Sequence, residues 1–220
     1  MPLSLNGSTQ YSLINTGAIT IAPQSVCIWV YDTKGNVNEW RAAVSRQDET
    51  YSYAEQFGLG YSWNRFGWVV LDTTGAGLEV NSTMLYNQWA HICGTCSSGG
   101  TSRLYVNGVE TANGSFAGRT LNQSNNGIHI GANRNGTDVG EFWQGYLHDL
   151  RVYDRVLTAE EINTIYTTRG KDRILSGLRV RCPLSDGVGT ATIKEIGPTQ
   201  FSTTTTGSPS WYYPGVLRIA

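Results

Sequence analysis

The stretch that decides the fold is GYLHDLRVYDRVLTAEEI, which spans residues 145–162. Its first part is rich in Leu, Val and Tyr and predicts a strand over 144–153. Its second part begins a helix, because Thr158 and Glu161 form a capping box in which each side chain satisfies an unpaired backbone N–H. An apolar stripe follows at helical spacing and consists of Ile162, Ile165 and Tyr166. The stretch therefore predicts a strand followed by a short helix, from Thr158 to about Tyr166, that packs by one face.

The rest of the chain consists of short apolar segments separated by Gly, Asn, Asp and Thr, which is the pattern of a β-sandwich. The pair Asn107-Gly108 between two β-type segments predicts a tight hairpin, because both turn positions need a positive φ. The polar segment 202–210 predicts a loop. The predicted strands lie near 3–5, 10–14, 26–31, 41–46, 55–60, 66–71, 77–80, 88–95, 102–106, 109–112, 127–131, 144–153 and 177–182.

Composition excludes several classes of partner. Charged residues make up 15% of the 220 residues and the net charge is −1, so the chain lacks the single-sign charge that attracts nucleic acid or an anionic membrane. No apolar run approaches the roughly 18 residues of a membrane span. We expect neither a nucleic-acid nor a membrane partner.

The four cysteines, Cys27, Cys93, Cys96 and Cys182, allow two disulfides or a zinc site in principle. Cys93 and Cys96 have the CxxC spacing, but residues three apart on a strand point to opposite faces. We therefore expect the cysteines to be small buried hydrophobic residues rather than a disulfide or a metal site.

Four blocks of the sequence occur in an order typical of one known family. They are LNGSTQY (5–11), VCIWV (26–30), QWAHI (88–92) with RLYVNGV (103–109), and the stretch 145–162. Together they resemble the laminin-G-like branch of the concanavalin A-like lectin/glucanase superfamily, which is close to the pentraxins. The resemblance covers residues 3 to about 169.

The resemblance implies an all-β jelly-roll sandwich of two antiparallel sheets with one short helix on the C-terminal side, forming a single domain over 1–220. The tail departs from the family order. GLRVRCPLSDGVG (177–189), with Ser210-Trp211 beyond it, is similar to a strand that usually precedes the first block. We expect 171–220 to be a strand-and-loop extension that returns to the sheet, either its own or that of a neighbouring subunit.

An enzyme is not expected, although the superfamily includes glucanases. Those enzymes place paired carboxylates on one strand, whereas the acidic residues here are scattered. His91 and His148 fall in strand positions of the family blocks, which favours structural histidines over general bases. We predict no catalytic and no metal-binding residues. Calcium remains an option implied by the family, with Asp32, Asp72 and Asp138 as loop acids, but no paired motif gathers them.

A sugar site needs an aromatic platform with polar groups beside it. The densest aromatic cluster predicts a site, and its members are Tyr61, Trp63, Arg65 and Trp68, with Asn133 and Arg134 from a later loop. The alternative is that these aromatic residues fill the sandwich core, as we expect Trp29 and Trp89 to do.

The only basic concentration comprises Arg169, Lys171, Arg173, Arg179 and Arg181. It is either a solvated face or a contact with an acidic neighbouring subunit. Three of these residues and one aromatic residue are the predicted subunit contacts, namely Arg173, Arg179, Arg181 and Trp211.

A fold typical of extracellular proteins occurs here in a chain whose first residues lack a secretory signal. Proteins of phage and viral surfaces combine these properties. We therefore expect a non-enzymatic virion-surface component, such as a capsid decoration or a tail or fibre protein, that packs as a homo-oligomer or against other virion proteins and binds surface glycan weakly. The alternatives are an extracellular lectin-like protein of a bacterium and, third, a hydrolase or lyase acting on glycans.

Overall fold

A computed structural model describes residues 2–16, 24–47, 55–122, 127–135, 138–185 and 193–211. The first strands are β1 (Leu3–Asn6), β2 (Tyr11–Asn15), β3 (Ser25–Asp32), β4 (Trp40–Gln47), β5 (Glu55–Ser62), β6 (Arg65–Leu71), β7 (Gly77–Thr83), β8 (Trp89–Thr95) and β9 (Thr101–Val106). The remaining elements are β10 (Val109–Ser115), β11 (Ile128–Ile130), β12 (Asn133–Asn135), β13 (Asp138–Gly140), β14 (Gln144–Tyr153), α1 (Ala159–Thr168), β15 (Leu178–Cys182), β16 (Ser202–Thr206) and β17 (Ser210–Trp211).

Two large antiparallel sheets form a sandwich, which confirms the predicted all-β jelly-roll class. The eight-stranded sheet has the order β10-β9-β8-β3-β14-β1-β17, with β15 also paired to β14. The seven-stranded sheet has the order β16-β2-β11-β4-β5-β6-β7. Their inner faces enclose the main core, which includes Trp68, Trp143 and Leu147. Because strand side chains alternate between the two faces, each sheet also has an outer face that the main core does not use.

Helix α1 covers one end of the outer face of the eight-stranded sheet. Thr158 accepts a hydrogen bond from the backbone N–H of Glu161, and the Glu161 side chain returns to the Thr158 N–H, as the capping box predicts. Ile162 and Ile165 are buried and form a second small core with Leu157, Leu178 and four residues of the sheet. The sheet residues are Cys27, Cys93, Tyr105 and Tyr153.

A disulfide joins Cys27 to Cys93 within this second core, so the prediction of four buried thiols is wrong for this pair. The reason is register: Cys27 lies directly opposite Cys93 where β3 pairs with β8, with the two Cα atoms 4.1 Å apart. Cys93 and Cys96 have the CxxC spacing but point to opposite faces of the sheet, Cys93 into the second core and Cys96 into the main core. Cys96 and Cys182 are buried thiols, as expected.

The C-terminal segment contributes three strands to the two sheets of its own chain. β15 pairs with β14, β16 with β2, and β17 with β1. Trp211 lies opposite Leu3 and is buried in the main core. Its predicted role as a subunit contact is therefore wrong, because its side chain is used inside the sandwich. The predicted loop 202–210 is also wrong over 202–206, which form β16.

A candidate aromatic groove

A groove of about 760 Å³ lies on the outer face of the eight-stranded sheet, next to the C-terminal end of α1 and the turn between β9 and β10. The described residues that line it are Pro2, Trp29, Trp89, Asn107, His148, Tyr166, Thr167 and Arg169. Its volume falls within the range of small-ligand sites. The floor comes from strands, and the rim comes from the helix and the turn.

Two rows of rings cross the outer face of the sheet at the groove, from β14 over β3 to β8, and three of these rings, His148, Trp29 and Trp89, line the groove. Strand periodicity puts every second residue on the outer face, and the register aligns these residues across three strands. The first row is His148, Trp29 and His91, and the second is Tyr146, Tyr31 and Trp89. Ring centroids are 5.3 Å apart for Trp29 and His91, and 5.7 Å apart for Tyr31 and Trp89. Such distances are typical of interacting aromatic pairs.

The helix covers the first row more than the second. Tyr166 stacks on Trp29 with ring centroids 5.6 Å apart and an interplanar angle of 26°. Trp89 contacts Tyr31 and Tyr146 and is half-buried. The second row therefore continues the aromatic surface away from the helix.

The turn between β9 and β10 brings a fixed amide to the rim. Asn107 and Gly108 have φ values of 52° and 81°, so the predicted hairpin turn is present. The Asn107 side-chain oxygen accepts a hydrogen bond of 2.9 Å from the backbone N–H of His91. Because this bond holds the amide oxygen towards β8, the amino group is the end of the Asn107 side chain that is left for a ligand.

Arg169 ends the helix in the left-handed conformation, with a φ of 51°, and its backbone N–H bonds back to the last turn. The left-handed cap turns the chain sharply at the helix end. Its side chain is exposed and lines the groove.

The two histidines of the first row are neutral near pH 7. The pKa of His91 is lowered to about 3, chiefly by burial and secondly by nearby Arg151, whereas Asp172 acts in the opposite direction. Burial also lowers the pKa of His148. These imidazoles contribute hydrogen-bonding groups and no charge.

A buried ionic network fixes the segment that follows the helix. Asp149 has a φ of 46° at a bulge in β14, and its carboxylate accepts a hydrogen bond of 2.9 Å from Arg151. Arg151 also donates to Asp172 at 2.8 Å, and Arg181 to Asp149 at 3.3 Å. The network therefore links the sheet, the helix end and β15.

None of the six predicted ligand-binding residues lines the groove. Tyr61 and Trp68 are fully buried in the main core, where the guanidinium of Arg41 lies 4.1 Å from the Tyr61 ring centroid. The predicted ligand-binding role is therefore wrong for Tyr61 and Trp68, which pack in the core as the alternative prediction stated. They lie at inward-facing positions of β5 and β6.

The other four predicted residues lie outside the core. Trp63 and Arg65 flank the β5–β6 turn, where 55% of Trp63 is exposed. Asn133 is buried in β12 and donates to Glu141 at 2.8 Å, with Arg134 beside it. They do not form a platform together with Tyr61 and Trp68.

Trp29 and Trp89, expected in the sandwich core, are instead on the outer face. The signal that could have located the groove was present in the sequence: Trp29 and Tyr31 alternate with core residues, as do Trp89 and His91. Alternation shows that they share a face, but which face is buried depends on the partner sheet.

The predicted subunit contacts are partly used within the chain. Arg179 donates to Asp154 at 2.6 Å and Arg181 joins the buried network, whereas Arg173 is exposed. Arg181 is thereby satisfied internally.

Two of the three loop acids named for calcium, Asp32 and Asp72, have partners within the chain. The Asp32 carboxylate is buried and binds Arg41 and the Gly35 N–H, and Asp72 accepts from Thr74 and Ala76. Within the described ranges, no three His, Cys, Asp or Glu side chains are placed to hold a metal ion. Nor does that part of the chain contain a helix of the length and apolar character needed to cross a membrane.

Residues 6–163 match a laminin G family model described as the concanavalin A-like lectin/glucanases superfamily. The chain belongs to this superfamily. The match ends within α1 and before β15 to β17, so the superfamily assignment rests on β2 to β14 and the first half of α1. No curated protein matches the sequence.

The fold is similar to that of several solved structures. One is a heptameric SAP-like pentraxin from Limulus polyphemus, which is 19% identical in sequence, with a TM-score of 0.60 and coverage of 77% of this chain and 83% of that one. A putative carbohydrate binding protein from Bacteroides ovatus is 14% identical, with a TM-score of 0.65 over 94% of this chain and 62% of that one. The receptor binding domain of botulinum neurotoxin D is 16% identical, with a TM-score of 0.56 over 76% of this chain and 43% of that one. The chain thus spans less than two thirds of the latter two.

Proposed function

We propose that the chain is a non-enzymatic glycan-binding module whose ligand lies in the aromatic groove. The observation that carries this proposal is the pair of ring rows, which continue from beneath Tyr166 to the half-buried Trp89. A sugar ring has an apolar face that packs on an aromatic ring and hydroxyls that need hydrogen-bonding groups at the edge. The groove supplies both, with rings on the floor and Asn107, Thr167 and Arg169 on the rim.

The lining supports binding without hydrolysis. Glycoside hydrolysis uses two carboxyl groups on either side of the scissile bond. The described residues that line the groove include no Asp or Glu. His91 has a structural role, because the amide of Asn107 accepts from its backbone N–H and its ring packs against Trp29 and Tyr166.

The decisive test compares two tryptophans that the structure separates. Trp89→Ala removes a ring from the groove, whereas Trp63→Ala removes an exposed ring from the β5–β6 turn. On a glycan array and in calorimetry with the best binder, we expect Trp89→Ala to weaken binding about tenfold or more, as loss of a central aromatic contact does. We expect Trp63→Ala to bind as the unaltered protein does.

The proposal fails if the folded, unaltered protein binds no glycan above background. It also fails for this groove if Trp63→Ala abolishes binding and Trp89→Ala leaves it unchanged, because the site would then lie at the β5–β6 turn. Melting curves of both variants separate loss of binding from loss of folding.

A place on a virion surface and assembly as a homo-oligomer are proposals that the sequence supports. Presence of the chain in purified particles tests the first, and its absence from them would end that proposal. Light scattering on the full chain tests the second, with a monomer as the contrary result.

A further inference from the structure

The basic concentration 169–181 divides into two parts in the structure. Arg179 and Arg181 form ion pairs with Asp154 and Asp149. The other three cations, Arg169, Lys171 and Arg173, are exposed, and no described acidic residue pairs with them. Their positive charge is therefore not neutralised by the part of the chain that the structure describes.

The acidic residue within this segment is turned inward. Asp172 lies between Lys171 and Arg173 in sequence, but its carboxylate is buried, pairs with Arg151 at 2.8 Å and accepts from the Thr168 hydroxyl at 3.4 Å. Because Asp172 is buried against Arg151, the exposed charges of residues 169–173 are all positive. At physiological salt, the potential of exposed charges such as these is screened over a distance of about 8 Å.

The groove that begins at this surface offers hydrogen-bond donors. The oxygen of the Asn107 amide is already taken by the His91 N–H, which leaves the amino group. The other polar side chains that line the groove, those of Thr167, Tyr166 and His148, are neutral near pH 7. Of the described lining residues, only Arg169 carries a full charge.

We infer that the groove selects an acidic saccharide, whose carboxylate or sulfate group pairs with Arg169 while a sugar ring packs on Trp89. This inference rests on the proposed function and names the class of glycan. The guanidinium supplies the positive charge directly, so binding needs no added metal ion. A guanidinium presents two parallel N–H groups to such an anion, which makes the contact strong and directional. Lys171 and Arg173 increase the local positive potential and so the rate of association.

The first experiment is a glycan array that pairs each acidic glycan with its neutral parent, with sialylated, uronic and sulfated members, in the presence of EDTA. We expect the bound members to be acidic, with their neutral parents bound about tenfold more weakly or not at all. The carboxylated and sulfated arms identify which anion is preferred. If the neutral parents bind as well as the acidic members, the inference is wrong and the proposed function stands. If nothing binds, the proposed function itself is wrong.

The second experiment assigns the selectivity to Arg169, using the best acidic binder and its neutral parent. We expect Arg169→Gln to lower affinity for the acidic glycan about tenfold and to leave the neutral parent unchanged. Arg169→Lys keeps the charge and retains part of the preference, and Arg65→Gln removes a distant exposed arginine as the matched control. Equal binding of the acidic glycan by Arg169→Gln and the unaltered protein would overturn the role of Arg169. A merely structural role of Arg169 would weaken both glycans alike.

Discussion

At the scale of single residues, the Cys27–Cys93 disulfide crosses two neighbouring strands directly beneath α1. Residues 27 and 29 share a face of β3, so the Cys27–Cys93 pair is the neighbour of the Trp29–His91 pair on the outer face of the sheet. The disulfide therefore fixes the strand pairing on which the first ring row depends.

We predict that the double variant Cys27→Ala/Cys93→Ala loses about 4 kcal/mol of unfolding free energy, from the loop entropy of a crosslink spanning 66 residues. Urea unfolding with and without a reducing agent measures this, and the variant should no longer respond to the reducing agent. Thiol titration of the unfolded, unreduced protein should find reactive Cys96 and Cys182 but not Cys27 or Cys93. Four reactive thiols per chain would contradict the disulfide.

Stability at acidic pH is the second prediction at this scale. Burial lowers the pKa of His91 from 6.5 to about 3 and that of His129 to about 4. The unfolded chain therefore binds protons on these histidines that the folded chain does not bind. Between pH 6.5 and about 4, each histidine lowers the unfolding free energy by about 1.4 kcal/mol per pH unit as the pH falls.

His91→Phe keeps a ring beside Trp29 and removes the titrating group, so its stability should fall less steeply over that pH range. Urea unfolding at several pH values from 7 to about 4 gives the slopes. A variant slope equal to that of the unaltered protein would show that His91 does not titrate on unfolding.

At the scale of elements, α1 has two tasks: it closes the second core and it brings Tyr166, Thr167 and Arg169 to the groove. Its start depends on the Thr158 hydroxyl, which accepts from the Glu161 N–H. Thr158→Ala should lower the unfolding free energy by about 1 kcal/mol.

The matched control is Thr164→Ala, since the exposed Thr164 hydroxyl only bonds back to the Glu160 carbonyl within the helix. Alanine favours the helix interior, so this variant should be as stable as the unaltered protein or slightly more stable. Chemical unfolding of the two variants checks the difference. Equal losses would mean that the capping box contributes nothing.

Elements with a local signal could be predicted from the sequence, and those that depend on distant partners could not. The capping box and the Asn107-Gly108 turn each fix a few neighbouring residues, so helix and hairpin were found. The four threonines of β16 are polar, so the sequence predicts a loop there. Thr also favours strands, and β16 forms as an edge strand because it pairs with β2. For the same reason the groove was missed: its rings come from β3, β8 and β14, which only the register brings together.

At the scale of the whole molecule, the C-terminal strands complete both sheets. These strands and the segments between them contribute to the main core the side chains of Val180, Cys182, Leu184, Ile193, Phe201 and Trp211. Burial of each large apolar side chain of this kind contributes about 1.5–3 kcal/mol, so their sum is comparable to the whole stability of a typical domain, about 5–15 kcal/mol.

A chain that ends after Gly170 should therefore not fold cooperatively, and should aggregate through the edges of β1, β2 and β14. A chain that ends after Trp211 keeps β15 to β17 and serves as the control, with a melting temperature close to that of the full chain. Circular dichroism melting with light scattering distinguishes them. Cooperative melting of the shorter chain near the temperature of the full chain would show that the sandwich is complete without β15 to β17.

The order of strands in the sheets also sets when the protein can fold during its synthesis. β1 and β2 leave the ribosome before the other described strands, yet β1 lies between β14 and β17, and β2 lies between β11 and β16. Neither can acquire both neighbours until the last strands have been translated. The nascent chain therefore carries unfinished sheet edges until β16 and β17 have emerged, and the sandwich cannot close before then.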